Sequence, residues 1–354
     1  QNYHKHSMYT NDRISDSAVT PEAYALRAKE LGHTIVSSCE HGWQGNYFET
    51  IEIAKKYGLK PLIGAEAYWV KDRFEKDRSN CHMFIGAKNE RGRQALNDVL
   101  SEANLTGFYG QPRLDIPLIL SLPKDDVIVT SACIAYWRYE DIEQITAELA
   151  KHFGKNFFLE VQYHNTPSQR ELNQRILKLH NELKIPLIMG CDSHYIYPEH
   201  GQTRSDFLVS KGLSYPDEKG WFLDYPDGDT AYQRFATQCV LSDSEICDAM
   251  DNTNVFLDVE EYDTPIFNSE IKMPSLYPNA TQDEKNEIYK QLVWQGWKEY
   301  RKQVPEGRWA HYEDDIKKEM HIVFDTNMPD YFINNYYIIR KGKENGGWLT
   351  KSGR

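Results

Sequence analysis

The sequence has few cysteines, no long hydrophobic run and no excess of positive charge. Its six cysteines are scattered over 354 residues without a CxxC pair, which is typical of a reduced, cytoplasmic protein rather than a disulfide scaffold. No apolar run approaches the roughly 18 residues that span a bilayer, and the polar residues 1–16 do not resemble a signal peptide. These absences predict a cytoplasmic protein without a membrane partner.

The formal net charge is −12, whereas a protein that holds a nucleic-acid backbone by its overall charge is basic. Two explanations keep a nucleic-acid partner open. Carboxylates that bind divalent metals are neutralised once the metal is bound, and the chain can be one part of a larger protein with basic surfaces elsewhere. The hydrophobic content of 40% and the charged content of 27% predict a globular chain.

Short apolar runs alternate with helix-like stretches through the first 200 residues. The predicted strands are Asn2–His6, Thr34–Cys39, Pro61–Val70, His82–Ala87, Val127–Ser131, Phe157–Gln162 and Pro186–Gly190. The predicted helices between them are Pro21–Leu31, Tyr47–Tyr57, Glu90–Glu102, Ile142–His152 and Ser168–Leu183. This alternation predicts an α/β fold with a parallel sheet, open or closed.

The pattern changes beyond residue 200. Helices are predicted at Asp243–Asn252, Gln282–Val304 and His311–Phe324, and a strand or buried segment at Asp330–Arg340. Lys272–Pro278 contains two prolines and no periodicity, so we place a domain boundary near residue 270, between 1–270 and 271–354.

Side chains able to bind metals follow one predicted strand after another. They are His4, His6, Glu40, His41, Glu66, His82, Cys133, His164, Asp192 and His194. The i, i+2 spacing in HxH and DxH puts both side chains on one face, and active sites of parallel α/β folds form at the carboxyl ends of strands. Only His82 stands at the start of its predicted strand.

A single histidine, cysteine or aspartate in such a position is more often structural than functional. The joint pattern is what predicts a metal site, because imidazole, carboxylate and thiolate are ligands for zinc, manganese and iron. Six histidines fall outside the pattern and are interpreted as ordinary residues: His33, His152, His180, His200, His311 and His321.

Several motifs resemble the PHP (polymerase and histidinol phosphatase) superfamily: HKHS at 4–7, EHG at 40–42, GAE at 64–66, CHM at 81–83, SAC at 131–133 and DSHY at 192–195. Longer segments resemble the PHP domain of bacterial or phage family C replicative DNA polymerases, namely 107–115, 159–174 and 185–199. Residues 328–339 and 344–354 resemble the start of the polymerase palm. The resemblance thus covers essentially the whole chain.

The resemblance implies a distorted seven-stranded β/α barrel followed by a smaller α+β segment, and up to three divalent metals (zinc, manganese, iron or magnesium). The implied ligand sets are His4, His6, Glu66 and Asp192 for one metal, Glu66, His82 and Cys133 for a second, and Asp16, His41 and His194 for a third. Asp12 competes with Asp16. The resemblance places Glu40 behind the ligands and does not make His164 a ligand.

The implied activity is a metal-dependent 3′→5′ exonuclease acting on the 3′ end of DNA, with His41, Glu66, Asp192 and His194 as catalytic positions. The chain would be an amino-terminal part of a larger polymerase, its partner being the remaining chain, without polymerase activity of its own. Candidate contacts to DNA phosphates are Lys5, Arg13, Arg113 and Arg138, for which a solvated surface charge is the commoner role. Two alternatives stay open: a structural metal-binding domain and a small-molecule phosphatase of the histidinol phosphatase kind.

Overall fold

The computed structural model describes residues 1–10, 16–79, 81–215, 218–260, 270 and 272–348. The chain divides into two compact units, Gln1–Ile266 and Phe267–Arg354, each considered by itself. Arg13, Asp12 and the last six residues of the palm-like motif lie outside the described residues.

The first unit is built on a curled, mixed sheet. Its strands are β1 Ile35–His41, β2 Lys60–Trp69, β3 Cys81–Ala87, β4 Arg113–Leu114, β5 Val127–Thr130, β6 Phe157–Val161 and β7 Leu187–Met189. The order is β1-β2-β3-β5-β6-β7, with β4 beside β2. All described pairs are parallel except those of β3, which runs antiparallel to both neighbours. The predicted α/β class is confirmed, and the sheet forms a half-barrel.

Helices cover the outer face of this sheet. They are α1 Pro21–Glu30, α2 Tyr47–Tyr57, α3 Glu90–Thr106, α4 Ile116–Leu120, α5 Ile142–Phe153, α6 Pro167–Leu183, α7 His200–Ser210, α8 Gly228–Gln238 and α9 Asp243–Asp251. Local signals set their starts: Thr20 and Thr166 cap α1 and α6 just before a proline, and Ser242 forms a capping box with Glu245. Among the described residues no helix is both long and apolar enough to cross a membrane.

The strands present two different faces because successive side chains alternate. One set of buried side chains packs with the helices, as Leu159 and Val161 do with Leu149 and Ile176. The opposite set forms a separate apolar cluster inside the curl: Tyr3, Ile35, Cys39, Leu62, Phe84, Ile128, Ala132, Phe158, Ile188, Phe256 and Val259. On the same inner face, polar side chains such as His41 and Glu66 lie nearer the carboxyl ends of β1 and β2. The apolar cluster therefore forms the floor of the curl, and the polar side chains form its opposite end.

The predicted first strand, Asn2–His6, is an extended segment with a single β-bridge between Lys5 and Ser193. The His6 N–H donates to the Ser193 carbonyl at 2.8 Å, and the Ser193 N–H donates to the His4 carbonyl at 3.2 Å. The segment therefore lies beside the chain that follows β7. The seventh strand of the described sheet is β4, which the sequence analysis did not predict.

The described part of the second unit is helical, with α10 Gln282–Tyr300, α11 Trp309–Asp325 and α12 Pro329–Glu344. The strand predicted at Asp330–Arg340, and with it the β part of the expected α+β segment in 272–348, is wrong. Pro329 occupies the first turn of α12. Ile333 is buried while Tyr337 is half-buried one helical turn later, which is helical rather than alternating spacing.

Two cations predicted as DNA contacts are buried inside the first unit. Arg113 is 2% exposed, and its guanidinium donates to the backbone carbonyls of Arg73, Glu75, Asp77 and Gly107. A buried guanidinium group that donates to four carbonyls is not available to a DNA phosphate. The prediction that Arg113 contacts DNA is therefore wrong.

Lys5 is 1% exposed, and its ammonium group donates to the Ser37 carbonyl and lies 4.5 Å from the Tyr24 ring centre. It too cannot reach DNA from this position. Burial lowers the pKa of Lys5 to about 8. Arg138 is exposed and donates to the Ser79 carbonyl.

Replacing Arg113 by lysine should destabilise the fold by about 3 kcal/mol, because one ammonium group cannot satisfy the four buried carbonyls. Urea unfolding at fixed metal concentration measures this. Arg91→Lys, at an exposed arginine, is the control and should change stability by less than about 1 kcal/mol. Equal stability of Arg113→Lys and the wild type would contradict a structural role for Arg113.

Candidate metal centre

The polar end of the curl collects side chains from three adjacent strands. His41 ends β1 and lies in register with Glu66 of β2. His82 is the second residue of β3, opposite Tyr68 of β2. Because β3 is antiparallel, its amino end lies at the carboxyl ends of its neighbours. The apparent exception of His82 is therefore a consequence of strand direction.

Two further candidates, Asp192 and Cys133, follow strands on turns that contain a residue with positive φ. Asp192, shortly after β7, has φ +47°, and Ala132, directly before Cys133, has φ +44°. Left-handed backbone costs a non-glycine residue of the order of 1 kcal/mol, and such strain clusters at functional sites. In both places it turns the chain where the candidate ligand is presented.

Glu66 lies at the centre of the cluster and is fully buried. Its carboxylate oxygens are 2.7 Å from His41 Nδ1, 3.1 Å from His82 Nδ1, 3.2 Å from His6 Nε2 and 3.4 Å from His4 Nε2. One carboxylate thus faces four imidazoles that come from the amino-terminal segment and from both strands beside β2.

Asp192 extends the cluster towards the end of the sheet. Its Oδ1 lies 3.2 Å from His6 Nε2, 3.5 Å from His4 Nε2 and 3.7 Å from His194 Nδ1. Asp192 therefore faces the same two imidazole nitrogens of the amino-terminal segment as Glu66 does.

Two smaller groups complete the cluster. Asp16 Oδ2 lies 3.3 Å from His194 Nε2 and 3.9 Å from His41 Nε2. Cys133 Sγ lies 3.4 Å from His82 Nδ1. The structure thus brings together all nine predicted ligand residues, while the competing Asp12 lies outside the described residues.

The protonation of the metal-free cluster follows from burial and pairing. Burial by itself would lower the pKa of His4 and His6, but the nearby Glu66 and Asp192, together with Glu160 beside His4, outweigh it. The pKa of His4 is raised well above its usual value, and that of His6 is raised to about 10. Despite burial, His82, His41 and His4 hold the pKa of Glu66 well below its usual range, and His4, His6 and His194 do the same for Asp192.

Several buried atoms of the cluster form no well-aligned hydrogen bond in the described part of the chain, although some of them lie close to an oppositely charged neighbour. They are Nε2 of His4, both ring nitrogens of His6, Nδ1 of His41, Oε2 of Glu66 and Oδ1 of Asp16. Buried polar atoms without well-aligned partners are costly. Three groups also hold their ligand atoms within 4.8 Å of one another: His6, His41 and His194; His4, His6 and Glu66; and His41, Glu66 and His82. The donor set fits divalent metal ions.

Glu160 is a site residue that sequence reasoning missed. Its Oε1 lies 2.7 Å from His4 Nδ1, and its Oε2 accepts from the Tyr3 hydroxyl at 2.6 Å and from the Thr130 hydroxyl at 3.0 Å. A carboxylate only accepts here, so the neutral His4 ring carries its proton on Nδ1 and presents the lone pair of Nε2. In the sequence Glu160 is a single carboxylate in an otherwise apolar predicted strand, and such a residue by itself does not indicate a site.

Two other contacts orient the cluster. His194 Nδ1 lies 2.8 Å from the Asp192 carbonyl, which leaves Nε2 towards Asp16. Glu40 accepts from the backbone N–H of Ser7 at 3.1 Å and from the Asn46 amide at 2.7 Å. Glu40 therefore fixes the turn after the HxH segment.

Comparisons with known proteins identify a family and relatives for this chain. Residues 2–164 match the family model described as "PHP domain". This chain carries a PHP domain. The PHP domain is homologous to DNA polymerase III alpha subunits, and the homology extends over most of the chain: the Helicobacter pylori (strain J99) subunit is 26% identical over 97% of this chain and 30% of its own length.

The Borreliella burgdorferi subunit is 34% identical over 59% of this chain and 19% of its own length. The chain thus spans less than a third of the length of these relatives. Among solved structures, a candidate metal-dependent phosphoesterase from Bifidobacterium adolescentis is 20% identical with a TM-score of 0.38, covering 66% of this chain and 95% of its own.

Glu160→Gln in the PHP domain should weaken metal binding by about 10- to 100-fold, because the amide no longer fixes the proton of His4 on Nδ1. Titration of metal-free protein with Mn²⁺ against a fluorescent chelator measures the affinity. Glu143→Gln, which removes an exposed carboxylate paired with Arg175, is the matched control. Wild-type affinity in Glu160→Gln would contradict the orienting role.

Metal affinity should rise as the pH is increased from 6 to 8.5. In the metal-free protein the pKa of His6 is about 10, so metal binding has to displace its proton. The ion pairs of protonated His6 stabilise the metal-free fold fully below its unfolded pKa of about 6.5, and this stabilisation is lost as the pH rises towards 10.

The increase in melting temperature caused by Mn²⁺ should therefore be larger at pH 8.5 than at pH 6. Calorimetry in buffers of different ionisation enthalpy should show net proton release on binding. A pH-independent metal affinity without proton release would contradict this electrostatic description of the cluster.

Proposed function

We propose that this chain is the PHP-domain region of a replicative DNA polymerase III alpha subunit, and that its metal centre removes nucleotides from the 3′ end of DNA. The observation that carries the proposal is the convergence of nine buried or half-buried ligand residues in one cluster, with Glu66 at its centre and four histidines around it. Their donor atoms suit zinc, manganese or iron, with magnesium as a further candidate. Homology to polymerase subunits supports DNA as the substrate.

We propose the three ligand groups that the family resemblance implies, and the distances within them are compatible with this grouping. His4, His6, Glu66 and Asp192 form one, Glu66, His82 and Cys133 a second, and Asp16, His41 and His194 a third. His41 also lies 2.7 Å from Glu66. Divalent metals bound together activate water and stabilise the charge on a phosphoryl group. Glu66 belongs to two of the proposed groups, and its Oε1 faces both His4 of the first and His82 of the second.

The chain's own residues also define the direction of approach. The side chains of His82 and His41 remain 17% and 12% exposed, whereas those of His4 and His6 are fully buried. A substrate phosphate therefore reaches the cluster over His41 and His82. We assign His41, Glu66, Asp192 and His194 as the residues closest to the reacting phosphoryl group.

We propose that the second unit is the start of the polymerase palm. Helix α12 carries exposed apolar side chains, with Tyr331 at 48% and Ile338 at 69% exposure, as expected of a surface that packs on further polymerase structure. The proposed domains are 1–270 for the PHP domain and 271–354 for the palm start. A replicative role places the protein in the cytoplasm.

A 3′-labelled, primed DNA duplex tests the function directly. The wild-type chain should remove 3′ nucleotides stepwise with Mn²⁺ or Zn²⁺ and stop with EDTA. Asp192→Asn and His6→Ala should lose metal and reduce the rate by at least about 100-fold, since both act on the same ligand group. Elemental analysis of each variant accompanies the rate.

His180→Ala and His311→Ala are the controls, because the His180 ring bonds to the Ile185 carbonyl at 2.7 Å and His311 is exposed on α11. Both should retain metal and activity. A metal-loaded wild type that leaves DNA intact would replace the exonuclease by a structural metal domain. Activity on phosphomonoesters but not on DNA would favour a small-molecule phosphatase.

A further inference from the structure

A buried histidine beside the metal centre is not among its predicted ligands. Gln162 and His164 continue the inner row of Glu160 beyond β6, since side chains alternate along an extended chain. Gln238 donates to the Gln162 and His164 carbonyls at 3.1 and 2.7 Å, and Asn173 donates to the Gln162 carbonyl at 2.8 Å. The backbone that carries His164 is thus held by buried amides from α6 and α8.

The His164 ring is fixed as well. Trp221 stacks on it with ring centres 4.7 Å apart and an interplanar angle of 10°. The Phe222 backbone N–H donates to Nδ1 at 3.1 Å. An N–H donor requires a lone pair on Nδ1, so the neutral ring carries its proton on Nε2. Burial lowers the pKa of His164 to about 4, which keeps the ring neutral near pH 7.

The Nε2 atom of His164 is buried and has no hydrogen-bond partner in the described part of the chain. Phe222, which donates to this ring, is followed by Leu223, whose carbonyl accepts from the N–H of the candidate ligand His194 at 2.8 Å, so the ring lies beside the His194 side of the cluster. An N–H group has no lone pair for a metal, so His164 in this tautomer is not a ligand. A buried donor without a partner is costly, and a ligand that supplies an acceptor removes that cost.

We propose that the Nε2–H of His164 is a fixed, neutral hydrogen-bond donor to a non-bridging oxygen of the substrate's phosphoryl group. The inference rests on the proposed phosphoesterase function and adds a substrate contact to it. A neutral donor suits this position, because it binds phosphoryl oxygen without repelling the adjacent metals as a cation would. It needs no reorganisation when the phosphoryl group arrives.

The tautomer is tested first, in the unmodified chain. ¹⁵N-detected spectra of histidine-labelled protein, with the His164 signals assigned by comparison with His164→Gln, should show a proton on Nε2 and none on Nδ1 between pH 6 and 8. This measurement requires no turnover, and the variant serves only to assign the signals of the unmodified chain. A proton on Nδ1, or an imidazolium over this range, would overturn the proposal.

Phosphate binding is tested next. Inorganic phosphate titrated into the Mn²⁺-loaded chain should bind about 10- to 100-fold more weakly to His164→Phe, which retains a ring on Trp221 but has no donor. His164→Gln, which keeps an N–H donor, should recover part of the affinity. His180→Phe, at a half-buried histidine far along α6, is the matched control and should bind phosphate as the wild type does.

The metal content of the variants distinguishes a metal ligand at His164 from a hydrogen-bond donor to phosphate. Both His164 variants should keep the wild-type metal content, and loss of metal from either would make His164 a ligand and overturn the proposal. Unchanged phosphate affinity in metal-replete His164→Phe would overturn it too. Phosphate binding that depends on His164 in a chain that leaves DNA intact would support this inference while contradicting the proposed DNA substrate.

Discussion

The buried carboxylate of Glu66 is the constraint on which the first unit depends. An isolated charge inside a protein is strongly unfavourable, so it has to be paired or to coordinate a metal. Here it is surrounded by His4, His6, His41 and His82 at 2.7–3.4 Å. The extended amino-terminal segment and the strands on both sides of β2 have to meet at this point, which links the cluster to the fold itself.

The architecture meets this requirement by separating two environments along the same strands. The inner rows begin with an apolar floor that includes Leu62, Phe84 and Phe158, and they end with polar side chains. The floor excludes water beneath the cluster, which strengthens every charge interaction above it. A second layer, with Glu160 behind His4 and Glu40 behind the HxH turn, fixes ring orientation and backbone position.

Much of this could be predicted from the sequence because ligand-type residues recur at strand ends. Glu160 could not, since a single carboxylate in a strand has no pattern of its own and its partners are brought close only by the curl. The antiparallel direction of β3 also depends on tertiary pairing. The residue type of Arg113 predicts a surface position, but its guanidinium is buried and donates to four backbone carbonyls. The aromatic and apolar composition of Asp330–Arg340 predicts a strand or buried segment, whereas the segment lies in helix α12.

Metal stoichiometry in Glu66→Gln tests the central claim most directly. Elemental analysis after loading with Mn²⁺ and dialysis should find more than one metal ion per wild-type chain. Because Glu66 belongs to two of the proposed ligand groups, removing its charge should lower the occupancy of both, while circular dichroism should show the fold retained. A folded Glu66→Gln chain with wild-type metal content would contradict the account, since the metals would then be held without the carboxylate at the centre of the cluster.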